Sequence, residues 1–383
     1  MSIVVKLLLK VADVMSLSPR PQISEMERRR AAAEVTGTNN SLWGPMYISG
    51  WLYRVPYFRM RAQDLPSFKD MPAVEGMPHG TAWGLWDKDG KRDNCGSLNL
   101  LTPENAREAQ KEIKSGTSVA LNWTVECVHE PGFARQKAEH NFKNLKPLGF
   151  VAWDDIIHIN TQSGSQWDGF RHWGHQDTGL YYNGLKHEDI PDPAHISDNS
   201  QHHWSDRGGI VGRGVLIDYA SWAEKNNIAY SATSSHEITV QDLETIAKDQ
   251  GVEFRPADIL IIRSGWVKWY NGASEEARVK GARDGLEHIG LAGNAETVEW
   301  LWDHHFAAVA GDSITFEVWP PKPAYRLHDH LLAMWGTPIG ELWDLEGLAE
   351  ACKREKKYSF FLTSAPLNVQ GGVASPPNAL AIL

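Results

Sequence analysis

Four polar side chains with even spacing lie in one short stretch of the chain. Gln162, Gln166, Asp168 and His172 form the pattern Q-x3-Q-x-D-x3-H inside residues 160–175, which also hold three glycines. The glycines disfavour a helix, and even spacing turns the side chains of an extended chain to one face. Because ten residues of straight strand would span roughly 33 Å, the four side chains converge only if the chain bends.

These residue types suit a metal ion. Two amide oxygens, a carboxylate and an imidazole are ligands for a hard or borderline divalent cation such as Mn(II), Mg(II) or Zn(II). The alternative is a polar turn whose Gln and Asp side chains satisfy buried backbone groups. Spacing alone leaves both interpretations open.

Aromatic residues alternate with these polar side chains. Trp167, Phe170 and Trp173 are candidate walls for a pocket that binds a flat ring, and core packing is the alternative for each. Arg171 is a candidate partner for a substrate carboxylate, with a structural salt bridge as its alternative.

A second group of candidates lies near the C-terminus. Residues 324–335 predict a helix with an apolar stripe of Leu and Trp, and His328 lies beside that stripe. His330 lies roughly 200° further round such a helix, on the opposite face. The helix therefore offers one inward histidine. His328 is the better candidate and His330 the fallback, while a core histidine bonded to backbone is the alternative for His328.

The window of paired glutamines resembles the metal-binding motif of the cyclase-like metal-dependent hydrolases. This family includes bacterial kynurenine formamidase, isatin hydrolase and trans-dienelactone hydrolase. Most members read H-x-G-T-H-x-D-x3-H, with His, His and Asp as metal ligands and the last His as catalytic acid/base. Here Gln162 and Gln166 replace the first two histidines, as in the trans-dienelactone hydrolase branch, while Asp168 and His172 keep their places.

The similarity extends over roughly residues 145–380. It continues through Arg-Ser-Gly-Trp at 263–266, Leu-His-Asp-His-Leu-Leu at 327–332, Gly-Glu-Leu-Trp-Asp-Leu at 340–345 and Pro-Leu-Asn-Val-Gln-Gly-Gly at 366–372. The resemblance implies an α/β fold with a mixed β-core and flanking helices, of the swivelling β/β/α type. It also implies a homo-oligomer, a dimer or tetramer.

The resemblance completes the expected metal site. In the family, a histidine before a Leu-Leu pair and a downstream glutamate join the first cluster, and His328 and Glu341 match those positions. An exposed loop carboxylate is the alternative for Glu341. The expected cofactor is Mn(II) or Zn(II). Because Gln binds through a neutral, hard oxygen, Zn(II) loses part of its advantage over Mn(II).

Composition limits the class of partner and the compartment. The net charge of −10 and the pI near 5.9 disfavour a nucleic-acid partner. Three cysteines without CxxC spacing fit a reducing compartment, and the first fifteen residues make a poor signal peptide and are too short to span a membrane. We therefore expect a cytoplasmic protein that acts on a small molecule, with neither nucleic acid nor membrane as partner.

The order of segments along the chain predicts one main domain. Residues 1–45 are interpreted as an N-terminal arm and 46–383 as a single cyclase-like domain, with 46–145 as an N-terminal extension packed on it. From residue 205 onward, strands alternate with helices, which predicts an α/β domain.

Individual elements follow from local patterns. Strands are predicted over 149–160, from Val215 and over 258–264, and helices are predicted to start after Thr239 and Asn294. Two segments show little pattern. Residues 174–208 predict a long loop that could cover the site, and residues 130–147 show no apolar stripe.

The functional hypothesis is metal-dependent hydrolysis of a small cyclic ester or amide, such as a lactone, a dienelactone or an isatin-like compound. A bound cation would lower the pKa of its water and supply hydroxide, with His172 as general acid/base. Two alternatives remain: a non-catalytic binder of a planar or carbohydrate ligand, and an arylformamidase that acts on an open-chain formamide.

Overall fold

Nine strands form the main sheet in the part of the chain that the computed structural model describes, residues 62–383. In chain order, the strands of this sheet and of two small ribbons are β1 Ser118–Ala120, β2 Glu139–Asn144, β3 Trp153–His158, β4 Gln166–Asp168, β5 Ile210–Ile217, β6 Glu237–Ile238, β7 Ile259–Ile262, β8 Gly290–Leu291, β9 Ala308–Gly311, β10 Ile339–Glu341, β11 Ser359–Ser364, β12 Ala374–Ser375 and β13 Ala379–Ile382. The order across the sheet is β1-β13-β11-β5-β7-β9-β10-β4-β12, while β2 pairs with β3 and β6 with β8.

The centre of the sheet is parallel. Strands β5, β7, β9 and β10 pair in parallel, and the pairs on either side are antiparallel. Every residue of β7, Ile-Leu-Ile-Ile, is buried, as expected for a strand that is covered on both faces. The strand predicted over 258–264 is therefore confirmed, and the strand predicted from Val215 coincides with the last three residues of β5.

Helices flank this sheet. They are α1 Pro103–Ala109, α2 His202–Asp206, α3 Tyr219–Lys225, α4 Val240–Gln250, α5 Trp266–Gly272, α6 Glu275–Gly281, α7 Ala295–Asp303 and α8 Glu346–Glu355. Thr239 and Asp242 form a capping box at the start of α4, and the Asn294 side chain caps α7. Both predicted helix starts are confirmed, and so is the mixed α/β fold with a β-core and flanking helices.

The segment predicted as a helix over 324–335 has a different form. A 3-10 turn at Pro323–Tyr325 precedes a π-helix at Asp329–Trp335, which ends at Gly336 with a left-handed backbone. The Ser97 amide donates to the Gly336 carbonyl over 3.0 Å. A Cβ at Gly96 would lie 1.9 Å from that oxygen, so this close approach requires glycine.

Two further segments depart from the sequence prediction. The long loop over 174–208 contains the short helix α2 and three 3-10 turns. The segment 130–147, which showed no pattern, contains β2, and β2 and β3 form a hairpin apart from the main sheet. Strand β3 lies within the strand predicted over 149–160.

The predicted domain boundaries stay predictions, because the arm at 1–45 and the boundary at 46 lie outside the described residues. Residues 62–383 all fall in one unit. Within the described range, no helix has the length and apolar character that a membrane crossing requires.

Candidate metal centre

Strand pairing brings the first candidate ligands together. Strand β4 lies antiparallel to β10, with Gln166 opposite Glu341 and Asp168 opposite Ile339. Directly opposed residues of an antiparallel pair share a face, and so do residues two apart on one strand. Gln166, Asp168 and Glu341 therefore project to the same side. The Gln166 Nε2 amide donates to Glu341 Oε2 over 2.8 Å and to Asp168 Oδ1 over 3.1 Å.

The chain bends on both sides of β4. The His172 amide donates to the Gly169 carbonyl over 2.9 Å, which closes a turn after the strand. Before the strand, the Asn160 side chain accepts from the Gln162 amide over 2.9 Å. The glycine at 169 is required, because a Cβ there would lie 2.7 Å from the Val373 carbonyl oxygen. The two bends bring the outer members of the motif back to Asp168.

Gln162 and His172 meet over Asp168. Gln162 Nε2 lies 2.7 Å from Asp168 Oδ1 and 3.1 Å from His172 Nδ1. His172 Nε2 lies 3.8 Å from Asp168 Oδ2. The structure thus brings all four members of the Q-x3-Q-x-D-x3-H pattern to one point.

His328 reaches the same point from the start of the π-helix. Its Nε2 lies 3.4 Å from Glu341 Oε1, and its ring centroid lies 6.3 Å from that of His172. His330 is turned away, because its Nδ1 bonds the Arg326 carbonyl and its ring packs on Trp335. The structure therefore places His328, and not His330, beside the cluster.

Glu317 is a member of this cluster that the sequence reasoning missed. Its carboxylate lies 2.7 Å from His328 Nδ1 and also accepts the backbone amides of Leu327 and His328 over 2.7 and 3.0 Å. These bonds fix the His328 ring so that Nε2 points at Glu341. The sequence signal for this residue was a single carboxylate within a mostly apolar run, Ile-Thr-Phe-Glu-Val-Trp at 314–319.

The surroundings in the cluster shift the pKa values of three of its side chains. Burial raises the pKa of Glu341, and the charge of Asp168 raises it further. Burial lowers the pKa of His172, and this outweighs the opposite effect of Asp168. Burial also lowers the pKa of His328, but the hydrogen bonds to Glu317 and Glu341 outweigh it and raise that pKa well above its usual range.

The donor set fits a divalent cation. Ligand atoms of Asp168, His172 and His328 lie within 4.8 Å of one another. Asp168, Glu341 and Glu317 are 0%, 2% and 1% exposed, and buried carboxylates require compensation by cations or hydrogen bonds. Each Gln amide can present its oxygen instead of its nitrogen after a half turn, since the two atoms are not distinguished by shape.

The aromatic candidates separate into two groups. Trp167 and Phe170 are completely buried, and Trp167 packs edge-on against Trp343 at 4.8 Å. Trp173 borders the cluster instead, with its ring 5.2 Å from that of His328 and its Nε1 bonded to Asp329 over 2.6 Å. Core packing therefore describes the first two rings in this structure.

Arg171 is also buried. Its guanidinium donates to the Ile196 carbonyl over 2.7 Å, to those of His195 and Asp198 over 3.4 Å, and to that of Ile190. It ties the long loop to the segment that carries His172. This arrangement is a structural clamp on backbone carbonyls, neither the carboxylate partner nor the salt bridge that the sequence suggested.

Three residues outside the predicted set flank the cluster. Arg135 Nη1 donates to the Gln162 carbonyl over 2.8 Å and lies 3.5 Å from Gln166 Oε1, so its hydrogen bonds go to neutral oxygens. Its guanidinium carbon lies 5.2 Å from the ring centroid of Phe133, and that ring meets Trp319 edge-on at 5.4 Å. Phe133 is 48% exposed. A cation thus lies beside the candidate metal centre, with Phe133 next to that cation and Trp319 next to Phe133.

Comparison with known proteins agrees with this fold. The family model named Cyclase, described as "Putative cyclase", matches residues 123–318. The match covers about half of the chain, and the protein belongs to this family. None of the curated proteins compared with the chain matches it.

Two solved structures show the same architecture. A crystal structure of a novel cyclase is 28% identical, with a TM-score of 0.68, and the alignment covers 79% of this chain and 99% of that chain. An isatin hydrolase bound to the product analogue thioisatinate is 15% identical, with a TM-score of 0.50, and covers 74% of this chain and 97% of its own. The second likeness is one of fold.

Proposed function

We propose that this protein is a metal-dependent hydrolase that opens a small cyclic ester or amide. The observation that carries the proposal is the convergence of buried Asp168 and His328 and partly exposed His172 on one point, with ligand atoms within 4.8 Å of one another. Gln162, Gln166 and Glu341 border that point through hydrogen bonds to Asp168 and to one another. The similar fold of an isatin hydrolase supports a ring-opening reaction.

Gln162, Gln166 and Asp168 would hold the cation, Mn(II) or Zn(II), with His328 and Glu341 completing its surroundings. When bound, such an ion supplies Lewis acidity that polarises a carbonyl group and acidifies water. The Gln oxygens are hard and neutral, which favours Mn(II) more than two imidazoles would.

His172 is the proposed acid/base. Burial lowers its pKa, so the neutral imidazole is available near neutral pH to accept a proton from the attacking water. The water oxygen forms the new bond to the carbonyl carbon, the ring C–O or C–N bond breaks, and His172 returns the proton to the leaving atom. Glu317 holds His328 in place throughout.

The substrate would lie on the open side of the cluster. Trp173 beside His328, and Phe133 and Trp319 beside Arg135, would offer ring surfaces to it. Arg135 would offer a cation for a substrate carboxylate or for charge that develops on the carbonyl oxygen. We assign substrate contact to these residues together with Arg135, while Trp167, Phe170 and Arg171 support the site from the core side.

Metal content is the deciding measurement. We expect wild-type protein purified without chelator to carry Mn or Zn by elemental mass spectrometry, and Asp168→Ala to lose metal and hydrolysis of lactones and isatin-like amides together. Asp177→Ala, which removes an 82% exposed carboxylate, is the matched control and should keep both. Absence of metal in wild type after soaking in Mn(II), or activity that survives Asp168→Ala, would refute the proposal.

A non-catalytic binder is the second candidate. The two Gln amides already satisfy the carboxylates of Asp168 and Glu341 by direct hydrogen bonds, as they would in a site that holds no ion. Ligand binding that persists in chelator, without turnover, would favour this function. Turnover of N-formylkynurenine in preference to cyclic substrates would point to an arylformamidase.

We also propose a cytoplasmic setting with a small-molecule substrate and with neither nucleic acid nor membrane as partner. The net charge of −10 and the three unpaired cysteines support this setting.

A further inference from the structure

A second group of metal-ligating side chains lies on helix α2, apart from the candidate metal centre. Ligand atoms of His202, His203 and Asp206 lie within 4.8 Å of one another. This group shares no residue with the Q-x3-Q-x-D-x3-H pattern, and no step of the proposed reaction uses it.

The helix brings both imidazoles to one carboxylate. Asp206 follows His202 by four residues and His203 by three, and residues three and four apart share one side of a helix. Asp206 Oδ2 lies 3.9 Å from His202 Nε2 and 3.9 Å from His203 Nδ1. The two rings lie side by side, with centroids 4.0 Å apart and planes inclined by 35°. The two neighbouring histidines thus face the same oxygen atom.

A backbone carbonyl sets the tautomer of His203. Its Nε2 lies 2.9 Å from the Ser197 carbonyl oxygen. Because that oxygen can only accept a hydrogen bond, Nε2 carries the proton. In the neutral imidazole, Nδ1 then has no proton and presents a lone pair on the side of Asp206.

A hydrogen-bonded serine sets the tautomer of His202 in the same way. Its Nδ1 lies 2.8 Å from Ser200 Oγ, and the Ser200 hydroxyl donates in turn to the Val369 carbonyl over 3.5 Å. Ser200 Oγ therefore accepts from His202 Nδ1, which leaves a lone pair on Nε2. The Ser197 hydroxyl lies 3.4 Å from this Nε2 and can donate to it.

Two lone pairs and a carboxylate therefore face one another when both rings are neutral. Contacts of 3.9 Å are too long for hydrogen bonds, so a cation between the three acceptors would relieve their repulsion. Two atoms bound to one zinc ion lie roughly 3.3 Å apart at the tetrahedral angle and up to about 4.2 Å apart at wider angles. The carboxylate is 62% exposed and can rotate toward such an ion.

We propose that His202, His203 and Asp206 form a second metal site, which binds a borderline divalent transition-metal ion such as Zn(II). Two imidazole nitrogens and one carboxylate oxygen favour Zn(II), Ni(II) or Cu(II) over Mg(II) or Ca(II). Hydrogen bonds from the outer ring nitrogens to oxygen acceptors are the usual support of histidine ligands. The rings are 14% and 23% exposed, so water can complete the coordination.

Such an ion would join α2 to the loop that precedes it. The Ser197 carbonyl that holds His203 lies between those of Ile196 and Asp198, which accept from Arg171. The ion would therefore brace the same loop that Arg171 clamps. Because this site offers mainly nitrogen and the candidate metal centre mainly oxygen, the two sites would prefer different ions. The proposal does not rest on the proposed function.

Titration of Zn(II) in competition with a fluorescent chelator tests the site. We expect desalted wild-type protein to bind Zn(II) here with a Kd of roughly 1 μM, weak enough for desalting to empty the site. Asp206→Asn should weaken this binding about 10-fold or more, and His203→Ala should abolish it. Glu275→Gln removes an exposed carboxylate beside a single histidine, His129, and should leave Zn(II) binding unchanged.

Carbethoxylation of histidine, mapped by peptide mass spectrometry, shows where the ion binds. Zn(II) should protect His202 and His203 in wild type but not in Asp206→Asn, whose circular dichroism should match wild type because residue 206 is exposed. This measurement is independent of any metal at Asp168. Equal reaction of both histidines with and without Zn(II) would overturn the proposal, because the positive charge would then be a proton on one ring. Protection by Ca(II) as strong as by Zn(II) would overturn the assignment of nitrogen ligands.

Discussion

Gln166 and Glu341 lie opposite each other on antiparallel strands, and the amide of one donates to the carboxylate of the other over 2.8 Å. This contact joins two motifs that are 175 residues apart in the chain. It makes the glycine-rich window and the C-terminal Gly-Glu-Leu-Trp segment parts of one site.

His172 should affect chemistry more than metal binding. Replacing it with Ala should leave metal content near that of wild type and lower kcat about 10²–10⁴-fold, as expected for loss of acid/base assistance. Elemental analysis and steady-state kinetics on one preparation measure both quantities. His187→Ala, at an exposed histidine of the long loop, is the control. A kcat equal to that of wild type would remove His172 from the mechanism.

Glu317 should act by positioning His328. Glu317→Gln keeps the size of the side chain but removes the charge that holds His328 Nδ1, and we expect metal affinity to fall about 10–100-fold. Competition with a fluorescent chelator measures this affinity directly, without reference to turnover. Glu350→Gln, on the exposed side of α8, should have no effect. An unchanged metal affinity would show that Glu317 is only structural.

Arg135 should select anionic substrates. Arg135→Met should raise KM roughly 10–100-fold for substrates that carry a carboxylate, as for loss of a charge-assisted hydrogen bond, and much less for neutral analogues. Arg135→Lys should recover part of the difference because it keeps the positive charge. Arg283→Met removes a half-exposed cation and serves as control. Equal changes for charged and neutral substrates would rule out a role in selecting charge.

Glu112 should contribute stability that depends on pH. Its carboxylate lies 2.7 Å from Lys357 Nζ and 2.9 Å from Arg213 Nε. Burial raises its pKa, but these partners and Ser359 outweigh burial and lower it to about 2. Because the pKa in the folded state lies below that in the unfolded chain, the stabilisation is complete above pH 4.5 and is lost as the pH falls toward 2.

Urea unfolding of Glu112→Gln measures this contribution. We expect a loss of about 1–3 kcal/mol at neutral pH, which shrinks as the pH falls through that window. Glu108→Gln removes an exposed ion pair with Lys111 and should cost about 0.5 kcal/mol or less. A loss for Glu112→Gln that is the same at every pH would contradict an electrostatic origin.

The sequence was sufficient for features that depend on local periodicity. Even spacing correctly placed Gln166 and Asp168 on one face, and the apolar run at 259–262 correctly marked a central strand. The same alternation puts Trp167 on the opposite face from its neighbours, where its Nε1 donates to Ser364. Because Trp167 alternates with Gln166 and Asp168 along the strand, its side chain points away from the polar cluster, which is evidence for core packing.

Features that depend on distant contacts could not be predicted from the sequence. Residues 329–335 form a π-helix that ends at Gly336, where the backbone of Gly96 approaches closely from a distant part of the chain. Glu317 acquires its role only because the chain folds His328 onto it from eleven residues further on. Arg135 showed no pattern, because its neighbours in the sequence are not its neighbours at the site.

The clamp made by Arg171 has a consequence for how a ligand enters. One guanidinium holds four carbonyls of the loop between Ile190 and Asp198, and its own backbone is joined directly to His172. If this loop opened on a hinge, those hydrogen bonds would break and the His172 imidazole would move away from the cluster. The loop is therefore fixed to the segment that carries His172, and a ligand has to reach the cluster without displacing it.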